Sequence, residues 1–582
     1  MNSYRAPIED LRFLVFDVLG LPESLPAGDA LDRELIGQVI EEAGRFCAGV
    51  LAPLNASGDR EACTLADGEV RTPQGFPAAY KAYCDGGWAA LACDPELGGQ
   101  GLPIVLRAAL DEMMAASNHA FTMYPGLAHG AYEALRHHGS DALKARFLPN
   151  IVSGEWLATM CLTEPQAGSD LGQIRTMAQP RADGSWSITG TKIFISGGEH
   201  DLTENIVHLV LARTPDAPPG TRGLSLFVAP KHLDDGRRSD PRNAIRCEGL
   251  EHKMGIRASA TCVMRFEQAQ GWMIGEPHRG LAAMFLMMNA ARLHVGMQGL
   301  GHAEAALQLA RAYAAERRQG RAGAGAGPDL LSAHPSVQRL IADQRALVEG
   351  GRALALWTAY QIDVAETSGD AEARQRADAL LALLTPVVKA FLTELGSECA
   401  DRALQVFGGY GFMVETGVEQ HLRDARIARI YEGTNEIQAL DLLRRKVLGD
   451  GGATLARFVE EMRASADAAP GEASTRADST RALADELLGL SQWLGTESAD
   501  DAMLPARVAG EFLRLTGLAA LAMMWLKIEA AAARRADDEP MARSKRALSM
   551  HYFDYVLPQA HACAAIVRNA RTPTDTVFAG EP

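Results

Sequence analysis

Residues 430–438 read Ile-Tyr-Glu-Gly-Thr-Asn-Glu-Ile-Gln and place one carboxylate, Glu432, beside an aromatic ring in a turn just before a helix. Apolar neighbours disfavour the charged form of a carboxylate and raise its pKa, so Glu432 is a candidate general base. The alternative is an ordinary helix start, in which Asn435 caps the helix and Gln438 reaches back. Taken alone, a short motif of this kind favours the helix start.

Three further segments carry possible chemistry. Residues 160–170, Met-Cys-Leu-Thr-Glu-Pro-Gln-Ala-Gly-Ser-Asp, offer hydroxyls and backbone donors that suit a phosphate or a ring carbonyl. Residues 192–198, Lys-Ile-Phe-Ile-Ser-Gly-Gly, form an aromatic strand that ends in two glycines. Residues 405–412, Gln-Val-Phe-Gly-Gly-Tyr-Gly-Phe, allow close backbone approach to a ligand but lack the strand–turn–helix setting of a dinucleotide fingerprint. Each segment alone is equally well explained as a turn or a core strand.

The composition is that of an ordinary soluble protein able to bury a large core. The chain has 582 residues, 47% of them hydrophobic, and a net charge of −16, which argues against a DNA-binding surface. Its nine cysteines stand singly, without a C-x-x-C pair, so neither a metal site nor disulfides are expected. The N-terminus has no signal-peptide pattern, and the apolar run 515–526 is too short for a bilayer and predicts a buried helix. We therefore expect a cytoplasmic protein with no membrane span and no nucleic-acid partner.

The texture of the sequence changes along the chain. Helical patterns fill residues 1–155, short β-branched segments separated by Gly, Asp and Pro fill 156–275, and long helical patterns return over 276–448. A Gly/Ala loop interrupts the last region at 321–328. Residues 449–480 have the composition of a linker, and 481–582 return to helical patterns. The predicted order is an N-terminal helical domain, a central β domain, a C-terminal helical domain, a linker and a helical extension.

Taken in order, the four motifs resemble the acyl-CoA dehydrogenase family over roughly residues 40–448. Four motifs in the right order are far more specific than any one of them. The residues past 450 resemble the longer branch of the family, which includes 3-methylthiopropanoyl-CoA dehydrogenases and fatty acyl-CoA dehydrogenases. The resemblance implies an α+β fold, mainly α, with a central β-barrel-like domain and a C-terminal four-helix bundle carrying a helical extension.

The resemblance also implies FAD as the cofactor and assigns residues to it. Phe194 stands where the family usually has Trp, which makes the stacking surface smaller. In the family a second subunit supplies contacts to the adenine half of FAD, so a homodimer is expected. The matching residues at the adenine end are Arg317, Gln405, Gly408 and Gly409. The remaining residues assigned to FAD are Met160, Leu162, Thr163, Gly168, Ser169, Phe194, Ile195, Ser196, Thr434 and Glu436.

For the substrate, the resemblance implies an acyl-CoA. Arginine suits phosphate because its planar fork binds two oxygens at once, although each arginine taken alone is as well explained by an ion pair. Asn289 replaces an aspartate that is common in the family. The residues matching family contacts to the substrate are Ser169, Asn289, Arg292, Gly433 and Arg444.

Dehydrogenating an unactivated Cα–Cβ bond needs a base for the α-proton, an acceptor for the β-hydride and stabilisation of the thioester oxygen. The resemblance makes Glu432 the base and flavin N5 the acceptor, with the Glu432 N–H and a ribityl hydroxyl at the oxygen. Some family members carry the base on an earlier helix, at the position of Ala291, but alanine cannot take a proton. Glu436, the nearby competitor, lies inside the helix and by resemblance contacts FAD.

The alternatives concern the substrate and the electron acceptor. Straight-chain fatty acyl-CoA is the first expectation, as part of fatty acid β-oxidation, with 3-methylthiopropanoyl-CoA as the alternative. Electrons are expected to pass to an electron-transferring flavoprotein, whereas an acyl-CoA oxidase passes them to oxygen. A non-catalytic DNA-binding relative is disfavoured by the charge and by the intact motif at 431–434. For the extension, a helical cap is expected rather than a membrane or partner-docking module.

Overall fold

The computed structural model describes residues 4–25, 31–323 and 327–570. Parts of the predicted N-terminal domain (1–3 and 26–30), of the Gly/Ala loop (324–326) and of the extension (571–582) lie outside the described residues. The α-helices are α1 (Ile8–Arg12), α2 (Arg33–Phe46), α3 (Ala52–Glu61), α4 (Phe76–Asp85), α5 (Ile104–Thr122), α6 (Pro125–His138), α7 (Asp141–Ser153), α8 (Gly280–Glu316), α9 (Pro335–Thr367), α10 (Ala371–Phe407), α11 (Val418–Ala425), α12 (Asn435–Leu440), α13 (Ala453–Asp467), α14 (Ser474–Glu497), α15 (Leu504–Ala532), α16 (Pro540–His551) and α17 (Pro558–Asn569).

In the order of the chain, the strands come between α7 and α8, apart from one short hairpin between α3 and α4. They are β1 (Thr64–Ala66), β2 (Glu69–Arg71), β3 (Trp156–Cys161), β4 (Met177–Pro180), β5 (Trp186–Ser196), β6 (Asn205–Arg213), β7 (Leu224–Pro230), β8 (Ile245–Leu250) and β9 (Thr261–Ile274). The hairpin of β1 and β2 was not predicted. Its turn, Asp67-Gly68, has positive φ at both residues, which is the geometry that an Asp-Gly pair favours.

The chain forms two compact units, each assembled from separate stretches of the sequence. The first unit comprises residues 1–44, 104–112 and 295–582, and the second comprises 45–103 and 113–294. Helices α5 and α8 each contribute residues to both units.

The second unit contains a seven-stranded sheet that closes on itself. β6 pairs with β3 in parallel and with β4 at one position, and β4, β5, β9 and β7 then follow as antiparallel neighbours. β7 also pairs with β6, so the ladder returns to its starting strand. β6 and β7 are buried along almost their whole length, in keeping with their mostly apolar sequences, in which His208 and Ser225 are buried polar exceptions. The prediction of a central β-barrel-like domain within a mainly helical fold is confirmed.

The first unit is built on the long helices α8, α9 and α10. Gly299 on α8 and Gly396 on α10 face one another so closely that a Cβ on either would overlap the backbone of the other helix. Helix α15 of the extension packs into the same core. Its buried Trp525 donates from Nε1 to the carbonyl of Ala346 on α9 at 3.2 Å, and Gly517 lies directly against the ring of Phe391 on α10.

The prediction of a linker over residues 449–480 was wrong for residues 453–467, which form α13. Leu455, Phe458, Val459 and Met462 of this helix are buried. Their spacing of three or four residues is a helical stripe, which the Gly, Ser and Asp content of the surrounding sequence obscured.

Among the described residues, two helices are long and apolar enough to cross a membrane by length and composition, Ala371–Phe412 and Leu504–Ala532. In their most apolar stretches 72% and 89% of the residues are buried inside the protein, as in the core of a helical bundle. The second contains the run 515–526, so the prediction that this run forms a buried helix is confirmed.

Candidate active site

The candidate site residues fall in both units. Those in the first unit are Arg317, Gln405, Gly408, Gly409, Glu432, Gly433, Thr434, Glu436 and Arg444. Those in the second unit are Met160, Leu162, Thr163, Gly168, Ser169, Phe194, Ile195, Ser196, Asn289 and Arg292.

Glu432 lies in a left-handed turn of the first unit. Its φ is +57° and that of Gly433 is +79°. Glycine adopts such angles freely, but a glutamate adopts them rarely and at a cost in conformational free energy. Residues with such strained backbone angles are concentrated at functional sites. The Glu432 side chain is half-buried, and the preceding Tyr431 donates its hydroxyl hydrogen to Oε1 of Gln298 on α8. Burial, and then the charge of Glu432, raise the pKa of the Tyr431 hydroxyl, so it stays protonated.

The start of α12 differs in one detail from the predicted helix start. Thr434, not Asn435, is the cap, since its hydroxyl accepts from the backbone N–H of Ile437 at 3.3 Å. Asn435 turns its amide into the protein, where it bonds to Lys389 and Glu394 of α10. Gln438 does reach back, and its Nε2 donates to the carbonyl of Glu432 at 3.0 Å.

Glu436 is a poorer candidate for the base. Its side chain is exposed, and hydrogen bonds from its own backbone N–H and from Thr434 lower its pKa. A carboxylate with a lowered pKa holds a proton weakly. Ala291 is buried and has no group to titrate. Of these positions, Glu432 alone combines partial burial with a carboxylate.

In the second unit the structure brings two of the quoted motifs together. The turn at 162–170 leaves strand β3, and its Thr163 carbonyl accepts from the N–H of Ile193 on β5 at 2.9 Å. The Leu162 carbonyl accepts from Nζ of Lys192 at 2.9 Å. The backbone of Leu162 and Thr163 is therefore fixed against the strand that carries Phe194, Ile195 and Ser196.

Glu164 is the buried anchor of this turn. Its carboxylate accepts from Lys192 at 2.9 Å, from the Arg175 N–H at 2.7 Å and from the Thr176 N–H at 3.0 Å. Burial alone raises the pKa of Glu164, but the Lys192 charge and these hydrogen bonds outweigh it and lower the pKa to about 2. The anion is thus part of the folded structure, since groups that bond to the charged form favour it.

We expect Glu164→Gln to destabilise the protein by roughly 2 kcal/mol at pH 7, as is typical for hydrogen bonds to a charged group. The pKa of Glu164 in the folded protein lies below the ordinary glutamate value of 4.5, so the stabilising contribution is complete above pH 4.5 and is lost as the pH falls towards 2. Thermal melts at pH 7, 5, 4 and 3 measure the difference in Tm between the wild type and Glu164→Gln, which we expect to narrow as the pH falls. Glu155→Gln, at an exposed position, is the control. A Tm difference that stays constant down to pH 3 contradicts a stabilising role for the Glu164 anion.

Phe194 presents its ring on the surface of the second unit. The pairing of β5 with β9 shifts register between Lys192 and Ile195, and Phe194 has a φ of +60° there. Such a bulge turns a side chain away from the regular alternation of the strand. The ring is 58% exposed, whereas Ile195 beside it is buried. An exposed aromatic ring at a strained backbone position is a candidate stacking surface.

The residues assigned to the adenine end of FAD lie together in the first unit. The guanidinium of Arg317, at the end of α8, lies 5.5 Å from the centre of the Tyr410 ring. Gln405, Gly408 and Gly409 are exposed at the end of α10. No described atom lies within 4 Å of where a Cβ would stand on Gly408 or Gly409.

The candidate CoA contacts are more dispersed. Arg292 is buried and bonds weakly to Asn289 at 3.5 Å, and both are on α8 in the second unit. Arg444 is exposed in the first unit, in a π-helix, Asp441–Leu448, that continues α12, and it donates to the carbonyl of Ala502 at 3.1 Å. Gly168 and Ser169 are exposed in the turn after β3.

Three of the side chains that hold these turns were not predicted to do so, namely Glu164, Lys192 and Lys389, whereas Gln438 was predicted to reach back as part of an ordinary helix start. Lys389 and Gln438 are fully buried and contact the turn of Glu432, and Glu164 and Lys192 anchor the other turn. One signal was available. Lys389 interrupts the apolar run Val387 to Leu392, and a lysine inside a buried helix needs a specific partner.

Comparison with protein families matches nearly the whole chain. The N-terminal domain of acyl-CoA dehydrogenases matches residues 33–155, the middle domain 159–269 and the C-terminal domain 278–447. A further model, described as acetyl-CoA dehydrogenase C-terminal like, matches 458–575. The extension is therefore a recognised domain.

Curated relatives match over most of their own length. The chain is 46% identical to the 3-methylmercaptopropionyl-CoA dehydrogenase of Ruegeria pomeroyi over 557 residues, which is 92% of the chain and 93% of the relative. It is 38% identical over 492 residues to a broad-specificity linear acyl-CoA dehydrogenase of Mycobacterium tuberculosis, with 81% and 80% covered.

Solved structures share the fold. The ACDH-11 protein of Caenorhabditis elegans, in complex with C11-CoA, aligns with a TM-score of 0.79 at 18% identity over 98% of this chain and 96% of that one. An acyl-CoA dehydrogenase of Bacillus anthracis, complexed with FAD, aligns with a TM-score of 0.76 at 19% identity over 96% and 91%. From the family models and the identities over most of its length, the chain belongs to the acyl-CoA dehydrogenase family.

Proposed function

We propose that this acyl-CoA dehydrogenase oxidises 3-methylthiopropanoyl-CoA to its α,β-unsaturated thioester. The supporting observation is the 46% identity to a 3-methylmercaptopropionyl-CoA dehydrogenase over 93% of that relative. The same substrate was the alternative in the sequence analysis, and the comparisons favour it over the straight-chain fatty acyl-CoA placed first there.

FAD fits the residues that the sequence assigns to it. In the second unit, the backbone of Leu162 and Thr163 is held rigid and the Phe194 ring is exposed for stacking. In the first unit, Gly408 and Gly409 leave space beside the backbone where a side chain would otherwise stand. Bound FAD supplies N5 as the acceptor of the β-hydride, which no protein side chain can provide.

Glu432 carries the proton chemistry. Its carboxylate removes the α-proton, the Cα–H electron pair becomes the new C=C bond, and the β-hydrogen leaves with its two electrons. The backbone N–H of Glu432 donates to the thioester oxygen as negative charge develops there. The neutral Tyr431 hydroxyl, bonded to Gln298, keeps the residue before Glu432 in place.

Three further assignments belong to the proposal. The electrons pass to an electron-transferring flavoprotein. The chain works as a homodimer, in which the surface that carries Arg317 and Gly408 contacts the FAD of the other subunit. The protein is cytoplasmic. Arg292 and Arg444 are the arginines assigned to the CoA phosphates, since their planar groups suit phosphate oxygens.

The test is an anaerobic titration of the purified holoenzyme with acyl-CoAs while the flavin absorption is recorded. Pentanoyl-CoA is the matched control, because it replaces the sulfur of 3-methylthiopropanoyl-CoA by a methylene and keeps the chain length. We expect the thioether to bleach the flavin fully and to exceed pentanoyl-CoA in kcat/KM by about tenfold, the scale set by one well-placed contact in a pocket. Equal values for the two thioesters contradict the substrate assignment.

A straight-chain substrate is the second candidate, supported by the 38% identity to a broad-specificity linear acyl-CoA dehydrogenase. The same titration, extended to chains of four to eighteen carbons, separates the two. A maximum at eight carbons or more favours fatty acyl-CoA. A flavin that no acyl-CoA bleaches contradicts both candidates.

A further inference from the structure

Two buried side chains hold the turn that carries Glu432. Gln438 donates from Nε2 to the carbonyl of Glu432 at 3.0 Å, and Lys389 donates from Nζ to the carbonyl of Gly433 at 2.7 Å. Both side chains are fully buried. Two successive carbonyls of one left-handed turn are thus each fixed by a separate donor, and we call Lys389 and Gln438 the carbonyl clamp.

The turn needs such support. A non-glycine residue is disfavoured in the left-handed region because its Cβ lies too close to the following carbonyl oxygen, so an unsupported Glu432 favours a negative φ. A change of φ at Glu432 rotates its carboxylate and its N–H together, and these are the two groups that Glu432 contributes to the proposed chemistry. Gly433 makes the close approach possible, because a Cβ there would stand only 2.7 Å from Nε2 of Gln438.

Lys389 is itself held by a chain of hydrogen bonds. Its Nζ also donates to Oδ1 of Asn435 at 2.9 Å, and the amide of Asn435 donates to Glu394 at 2.8 Å. Glu394 pairs with Arg429 at 2.8 Å. A buried donor with several fixed partners is a rigid support, since moving it breaks more than one hydrogen bond.

We propose that Lys389 and Gln438 are positioning residues for the dehydrogenation, acting through Glu432 by fixing the φ of that residue. The inference rests on the proposed role of Glu432 and adds to it the residues that set the geometry of the base. Neither clamp residue needs to touch the substrate for this role.

The first test is Lys389→Met, which keeps the aliphatic stem and removes the ammonium group. We expect kcat to fall by about tenfold to a hundredfold, the scale of a misplacement near 1 Å, with KM changed less than about threefold and FAD content unchanged. Lys545→Met is the matched control, since Lys545 is a buried lysine of the same unit that pairs with Asp10 and Glu349. We expect it to lower the melting temperature and leave kcat within twofold.

The second test is a double-mutant cycle with Glu432→Gln. If Lys389 acts through Glu432, adding Lys389→Met to Glu432→Gln should lower the residual turnover less than about threefold, because the residue it positions no longer acts as a base. A merely structural lysine lowers turnover by the same factor in both backgrounds, and that result overturns the proposal.

A crystal structure of the Lys389→Met holoenzyme gives a readout that does not depend on the substrate. We expect Glu432 to leave the left-handed region or its carboxylate to move by about 1 Å or more, whereas a turn superimposable on that of the wild type overturns the proposal. Should Lys389→Met fail to fold, Gln438→Met takes its place with the same expected results. If the wild type oxidises no acyl-CoA, the proposed function fails, and the turn geometry of the variants still decides whether the clamp fixes Glu432.

Discussion

Replacing Glu432 with glutamine should lower turnover by about a thousandfold, within the range that a positioned acid–base group contributes. Glutamine has nearly the same shape and fits the same half-buried space, but its amide cannot accept the α-proton. The turn is held through backbone carbonyls, by Lys389 and Gln438, so the exchange leaves these supports intact. Turnover with an artificial electron acceptor measures the loss, and the flavin absorption spectrum reports the FAD content, which we expect to be unchanged.

Glu460→Gln is the control for this loss, because Glu460 is an exposed carboxylate on α13. We expect it to retain the activity of the wild type. If Glu432→Gln keeps more than about a tenth of the wild-type turnover, Glu432 is not the base, since such a loss is below the usual contribution of one.

Replacing Arg352 with methionine should give the largest loss of stability, about 3–5 kcal/mol, because it leaves buried carboxylates without their cation. Arg352 lies on α9 and is 1% exposed. Its guanidinium pairs with Glu112 at 2.6 Å, with Glu304 at 2.7 Å and with Asp10. Burial raises the pKa of Glu112 even though the charge and hydrogen bond of Arg352 lower it, so the charged form of Glu112 depends on the arginine.

Thermal unfolding of the full chain measures this effect as a drop of several degrees in Tm. Arg463→Met is the control, because Arg463 forms an exposed pair with Asp485 at 2.6 Å, and exposed pairs contribute about 0–1 kcal/mol. A Tm for Arg352→Met as close to the wild type as that of the control contradicts a stabilising role for the buried network.

The candidate site could be proposed from sequence where its residues are neighbours in the chain. Glu432, Gly433 and Thr434 form one short motif, and Leu162 to Ser169 form another, so their residue types and order carry the signal. Lys389 was not predictable in the same way, because it reaches the Gly433 carbonyl from 44 residues away. Whether a lysine in an apolar helix meets a turn carbonyl or another partner depends on packing that no local pattern encodes.

The same limit applies to the fold. Period-two and period-three-to-four patterns predicted the order of helical and β regions, and that order is confirmed. The closing of the sheet through β7 and β6, and the pairing of Asp10 with Lys545 across 535 positions, depend on long-range contacts. Helix α13 shows the opposite case, in which a correct local stripe was present and the composition of the surrounding residues outweighed it.

The network of Asp10, Arg352 and Lys545 bears on the order in which the chain can fold during synthesis. The ribosome delivers every residue of the second unit once position 294 has emerged, whereas the first unit still awaits residues up to 545 and beyond. Glu112 lacks its cation until Arg352 has emerged, and Asp10 lacks its second cation until Lys545 has emerged. The segment Phe13–Val18 likewise lacks helix α15, which packs against it. From position 294 until position 545 has emerged, the nascent chain therefore carries an incomplete first unit while synthesis proceeds at several residues per second. The apolar surface exposed in that interval is of the kind that chaperones bind.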